Sequence, residues 1–225
     1  MTILSVYAHH EPSSLTSSLK NTAISVLTQQ GHTVLETDLY GSGFAPKAEK
    51  YDFTTTSGSH FNYMLEQKHA KLDNMGFAPD IVAELEKIAQ ADIVIFHTPL
   101  WWFSVPAVLK GWFDRVLAMG VAWDGGRIYE KGLLRGKQAM LCVVAGGPEE
   151  YYRVDGKHKA TMTQILHPIQ HGTLAFCGFD VHEPYVVLNS LGKSPNQLQL
   201  AIQEYHFKIE HLIDSPTFFH AYDTV

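Results

Sequence analysis

The chain has 225 residues, 45% hydrophobic and 18% charged, which excludes a disordered or collagen-like polymer and supplies enough apolar material for a sizeable core. Seventeen Lys and Arg against 23 Asp and Glu leave a formal net charge of −6, and without a dense basic stripe nucleic acid is not expected as a partner. The two cysteines, Cys142 and Cys177, are too few for a disulfide framework; with no signal peptide in MTILSVYAHH and no apolar run of membrane-spanning length, a cytoplasmic protein is expected.

Ile3 to Ala8 is a short apolar run that reads as a buried strand. Ser13 or Ser14 can cap the helix that follows, whose apolar face is Leu15, Leu19, Ala23, Val26 and Leu27 and whose stop is Gly31. Thr33 to Leu39 reads as a second strand. Tyr40 to Phe61 is rich in Gly, Ser, Thr and Pro without period and reads as a long surface excursion. Pro79 and Asp80 open a second helix with Ile81, Val82, Leu85, Ile88 and Ala89 on one face. Asp92 to His97 is a third strand, Pro106 opens a helix reaching about Met119, and Gln138 to Ala145 is a fourth strand. A helical stretch over Ala160 to Phe176 is interrupted at Pro168, and Asp180 to Leu188 reads as a fifth strand. Ser194 to Gln197 has capping-box spacing ahead of the stripe Leu198, Ile202, Tyr205, Ile209 and Leu212.

Five alternations of strand and helix, with strands apolar throughout, predict one doubly wound domain over 1–225: a five-stranded parallel sheet with helices on both faces. Such a sheet binds its ligand outside the carboxyl ends of its strands, which singles out the loops after His9, Pro99 and Gly146. The first, HHEPSSLTSSL, either caps a helix or cradles an anion at its N-terminus. In the second, Pro99 and Pro106 bracket Trp101, Trp102 and Phe103, an aromatic wall for a flat ligand or a face covered by a neighbour. The third places Gly146 and Gly147 ahead of Tyr151, Tyr152 and His158, either a plain turn or donors for a developing anion. His167 and His171 stand four apart, but Pro168 separates them and no HExxH or CxxC occurs, so no metal is expected. No G-x-S-x-G elbow follows a strand, and Cys142 reads as a core residue.

TPLWWFSVPAVLKGWFDRV resembles the signature of the NAD(P)H:quinone oxidoreductase (DT-diaphorase) family, flavoproteins of flavodoxin-like fold. VYAHHEPSSLTSSL, PDIVAELEKIAQADIVIF, AGGPEEYYRVDGKH and HPIQHGTLAFCGF extend the resemblance over nearly the whole chain. It implies that His9, Leu15 and Thr16 meet the phosphate and ribityl portion of a flavin, and that Asn62 reaches it across a homodimer interface. Pro99, Leu100, Trp101, Trp102 and Phe103 would wrap the isoalloxazine edge, with Ala145, Gly146 and Gly147 on its pyrimidine side. Tyr152 and His158 match the pair that stabilises charge on the reduced ring. Trp102, Phe103 and Phe176 would wall the nicotinamide and quinone site, and Trp123 would come from the partner chain.

The implied activity is two-electron, ping-pong hydride transfer from NAD(P)H through FAD, or alternatively FMN, to a quinone. Azo- or nitro-compound reduction, or a role as the flavoprotein subunit that regulates a potassium-efflux system, are the alternatives. The chain departs from the best-known members at VAWDGGRIYEKG, where Trp123 and Gly125 stand for two tyrosines, and at Gln199, where some relatives carry an arginine toward the adenine half. Of the two His and a distant Cys that bind metal in one branch, only His171 is matched; Ala175 takes the second position.

Overall fold

A computed structural model describes residues 1–57, 60–72 and 76–219. Strands β1 (Thr2–Tyr7), β3 (Ile93–Pro99) and β4 (Gln138–Val144) form the sheet centre, and nearly every side chain in them is buried because helices cover both faces. With β2 (Thr33–Asp38) and β5 (Asp180–His182) the parallel order is β2-β1-β3-β4-β5. On one face α1 (Leu15–Gln29) and α6 (Pro195–Glu210) bury Leu19, Leu27, Tyr205 and Ile209 against Ile3, Ile95 and Met140. On the other, α3 (Pro79–Gln90), α4 (Ala107–Val116) and α5 (Met162–Ile169) cover Leu4, Val94, Phe96 and Leu141. Ser14 caps α1, Gly31 ends it with φ +84°, and Ser194 and Gln197 close the expected capping box.

Several elements depart from the expectations. The fifth strand is two pieces, β5 and β6 (Tyr185–Val187), because Pro184 lies between them and has no N–H for the ladder; both pieces pair with β4. A further strand, β7 (Thr217–Phe219), adds antiparallel to β5. The α5 stretch does not run to Phe176 as α-helix: past Pro168 it widens into a π turn over Gln170–Leu174 and tightens into a 3₁₀ turn over Ala175–Cys177. The helix after Pro106 ends at Val116, short of Met119.

Tyr40 to Phe61 is more than a surface excursion, although Gly58 and Ser59 within it lie outside the described residues. Phe44, Asp52 and Phe53 are buried, and α2 (Tyr63–Leu72) follows directly. Arg115 of α4 anchors this segment: its guanidinium meets Asp52 at 2.9 Å, Asp80 at 2.7 Å and the Ala45 carbonyl at 2.9 Å, and it stacks on Phe44. The backbone of Pro46 packs directly on Gly111, where any Cβ would overlap it. Gly111→Ala is therefore expected to cost about 3 kcal/mol through overpacking, read as a lowered urea midpoint.

Two buried polar clusters tie helices to the sheet. Glu84 accepts from Thr37 Oγ1 and from Trp112 Nε1 and pairs with Lys87 Nζ at 2.8 Å, joining α3, α4 and β2. On the opposite face His97 lies fully buried, with Nδ1 3.2 Å from Ser5 Oγ and Nε2 2.8 Å from the Tyr205 hydroxyl. Among the described residues no helix is long and apolar enough to cross a membrane.

Candidate functional site

The strand order places the ends of β1, β3, β4 and β6 side by side, and their loops enclose a cleft of about 520 Å³. The first loop contributes His9 together with Ser14, Leu15 and Thr16 at the mouth of α1. That helix has no acidic residue in its first turn, so its positive end faces the cleft unneutralised. Glu11 is turned aside onto Ser13, accepting from its N–H at 2.8 Å and its hydroxyl at 2.7 Å. His9 Nδ1 accepts from the Glu11 N–H at 3.0 Å, which assigns the ring proton to Nε2 in the neutral form and makes that atom a donor. Burial and the neighbouring His10 hold the His9 pKa below its ordinary value.

The second loop is a tight turn. Trp101 and Ser104 exchange both backbone hydrogen bonds, at 2.9 and 3.0 Å, and the two residues between them, Trp102 and Phe103, have φ of +51° and +56°. This is the mirror-image turn that Asn-Gly normally supplies, here built from two bulky aromatics in the left-handed region, at a cost of about 1–2 kcal/mol each. Trp102 is 96% exposed, while Trp101 lies against the stacked pair His9 and His10. Pro99 and Leu100 continue the lining, with the Leu100 N–H bound to the Val144 carbonyl at 2.8 Å.

The third loop joins the second through aromatic contacts. The His158 ring stands 4.9 Å from Phe103, 4.9 Å from Tyr152 and 5.4 Å from Tyr151. The Tyr152 ring packs on Gly147, where a Cβ would lie 2.9 Å from its hydroxyl, so a larger residue there would push the Tyr152 side chain aside. Burial raises the Tyr152 pKa, and the phenol stays a proton donor through the neutral range. Ala145 is buried beneath Gly146, its N–H bound to the Val187 carbonyl at 2.8 Å.

His9, Leu15, Thr16, Pro99, Leu100, Trp101 and Gly146 thus line one cleft, with Ala145 and Gly147 in its glycine loop and Phe103, Tyr152 and His158 in one aromatic cluster. Asn62, Trp123 and Phe176 lie elsewhere. Trp123 and Phe176, with Phe61 and Tyr63 beside Asn62, line a second cavity of about 490 Å³ that shares no residue with the cleft. The single wall expected of Trp102, Phe103 and Phe176 is not formed within one chain. The π and 3₁₀ turns, pinned where the Leu134 N–H meets the Cys177 carbonyl at 3.0 Å, face Phe176 toward Trp123 at 5.7 Å and Tyr129 at 5.5 Å.

Residues absent from the sequence assignment complete the cleft: Ser190 and Leu191 after β6, and Leu198 of α6. The rule that ligands sit at strand carboxyl ends applies to the fifth strand as well and was the signal for them. Gln199 is not in the lining. His167 and His171 stack at 4.9 Å, and among the described residues no cluster of three or more His, Cys, Asp or Glu could hold a metal.

A five-position parallel sheet with an anion-ready helix end, an aromatic turn and a glycine loop at one rim defines the flavodoxin-like class, and the family model of that fold matches residues 1–209. The chain belongs to this family, in the branch of the NAD(P)H:quinone oxidoreductases. It is 47% identical over 186 residues to ribosyldihydronicotinamide dehydrogenase [quinone] of Homo sapiens, covering 82% of this chain and 80% of that one. To NAD(P)H dehydrogenase [quinone] 1 of Rattus norvegicus it is 40% identical over 203 residues, 89% of this chain and 73% of the other. A crystal structure from Klebsiella pneumoniae superposes with a TM-score of 0.91 at 38% identity, over 96% of this chain and 86% of that one.

Proposed function

We propose that this chain is a flavoprotein enzyme that oxidises a dihydronicotinamide and reduces a quinone. The observation that carries the reading is the Trp101–Ser104 turn, where two aromatics are held in a costly conformation and one stands almost wholly in water. Strain of this kind persists where a site uses it, and an exposed indole beside a cleft supplies a stacking surface for a flat ring. The cleft fits a flavin: the α1 N-terminus and Thr16 suit its phosphate, the Gly146–Gly147 backbone suits its polar pyrimidine edge, and Leu100 and Trp101 suit its apolar edge. The extension along Ser190, Leu191 and Leu198 supports FAD, with FMN as the alternative. When bound, the flavin supplies a ring that takes a hydride from the nicotinamide and returns two electrons to the quinone.

The protein's own residues do the remaining work. Trp102 and Phe103 hold successive flat substrates over one face, which imposes ping-pong order because donor and acceptor share the position. Tyr152 and His158 offer O–H and N–H donors to the negative charge that reduction brings into a largely apolar pocket. Asn62, Trp123 and Phe176 act from a partner subunit in a homodimer, a reading supported by their separate cavity and by exposed Met64 and Leu65 beside it. Buried, unpaired Cys142 and Cys177 support a reducing, cytoplasmic setting, with the chain working as one domain.

The test is to purify the protein, read its flavin absorbance and weigh the extracted cofactor. A colourless chain that takes up neither FAD nor FMN overturns the reading. The donor is NAD(P)H, with ribosyldihydronicotinamide as a second reading because the 47%-identical relative carries that name; steady-state oxidation of NADH, NADPH and ribosyldihydronicotinamide with one quinone acceptor separates them. Two further results are expected. Trp102→Gly relieves the strained φ, raising the stability of flavin-free protein by about 0.5–1 kcal/mol in urea while raising KM for the donor. Sedimentation at micromolar concentration shows a dimer; a fully active monomer counts against the shared site.

A further inference from the structure

We propose that Arg127, Lys131 and Arg135 form a binding site for a phosphate-type oxyanion, separate from the cleft. The three cations, with Gly132 and Leu133, are the whole lining of a cavity of about 380 Å³, and the one carboxylate paired with them, Asp124 on Arg127, lies outside that lining. Arg135 precedes the first residue of β4 by three positions, so the cavity lies toward the amino end of the sheet, opposite the rim that carries the cleft.

The arrangement is built rather than incidental. Arg127 is oriented by Asp124, which meets it at 2.9 Å and is itself held by Lys68 at 3.0 Å. Lys131 and Arg135 have no ion pair or hydrogen-bonding side-chain partner among the described residues. The segment that carries them is pinned: the Leu133 N–H binds the Ala122 carbonyl at 3.0 Å, the Leu134 N–H binds the Cys177 carbonyl at 3.0 Å, and Gly132 packs on the Cys177–Gly178 backbone so closely that a Cβ would overlap it. The backbone that carries the cations is therefore fixed, so their side chains start from one place and a bound anion would offset their mutual repulsion. Two guanidinium forks and one ammonium are the donor set that recognises phosphate oxygens, the forks bidentately and the lysine as a point charge. In a chain of net charge −6, such a concentration of positive charge is a local exception. Three cations around one cavity suit the clustered oxygens of a soluble phosphate monoester or pyrophosphate better than the spread headgroup plane of an anionic bilayer.

The test is calorimetric titration of the protein, as purified, with inorganic pyrophosphate at low ionic strength. One saturable site per chain is expected, weakened about tenfold or more by Lys131→Met and, separately, by Arg135→Gln, and retained by Lys131→Arg. Urea midpoints of all three variants matching the parent confirm that folding is unaffected. Absence of saturable binding overturns the proposal, as does equal affinity in parent and both charge-removing variants, which would place the anion elsewhere. Co-sedimentation with phosphatidylglycerol vesicles that pyrophosphate does not suppress also overturns it and assigns the surface to lipid. None of these readouts depends on enzymatic activity, and an anion held instead at the open α1 N-terminus would bind the parent and both charge-removing variants alike.

Discussion

His158→Ala and Tyr152→Phe are each expected to slow bleaching of the bound flavin by the nicotinamide donor about 10²–10³-fold, with flavin content nearly unchanged. The two side chains share one aromatic cluster with Phe103 at the glycine loop, 4.9 Å between ring centres, and each offers one donor to the same incoming charge. A donor that strengthens only as charge appears lowers the barrier without tightening the ground state, so the loss falls on the rate and not on cofactor retention. Because both answer one charge, the double variant loses less than the product of the single losses. Stopped-flow absorbance at saturating donor measures all three, and wild-type bleaching rates in both single variants would reduce the loop to a structural role.

Acid destabilisation traced to His97 is the second large effect. Burial drives its pKa from the ordinary 6.5 down to about 3, with Lys20 adding in the same direction, and the neutral ring bridges Ser5 and Tyr205 between sheet and α6. The folded value lies below the unfolded one, so between these values the unfolded chain binds a proton that the folded chain refuses. The stabilisation is whole above about pH 6.5 and drains as the pH falls toward 3, by about 1.4 kcal/mol per unit. Urea unfolding free energies at pH 7 and pH 5 should differ by about 2 kcal/mol from this group alone. His97→Gln removes that share of the slope while lowering stability at neutral pH; an unchanged slope in the variant would show that the proton is taken up elsewhere.

What could be read from the sequence followed what burial imposes on composition. β1, β3 and β4 are buried on both faces, so their residues form largely apolar runs, and Pro79 in the first turn of α3 and the Ser194 cap of α6 mark the helix starts. Helix α2 escaped because it does not bury an apolar stripe: Glu66, Gln67 and Ala70 face inward while Met64 and Leu65 face out. Pro168 announced a break in α5 but not its form, and the π turn decides where Phe176 points. The cleft loops were legible because topology alone places them at one rim. The pairing of Phe176 with Trp123 was not, since it rests on a packing of Cys177 and Gly178 against Gly132 that no local pattern encodes.

The sheet has two rims, and each is guarded in its own way. The outer strand β2 carries Glu36 and Asp38, and charge along a free edge discourages another strand from adding there. At the other rim β5 is covered by β7 in antiparallel pairing, with Ser215 Oγ 3.3 Å from His182 Nδ1 just before the strand begins. Deleting Thr217–Phe219 would uncover the outward amides and carbonyls of β5, a template that a strand from another molecule can occupy. Among the described residues, protection of this sheet from edge-to-edge aggregation therefore rests, on one side, on the Thr217–Phe219 clasp.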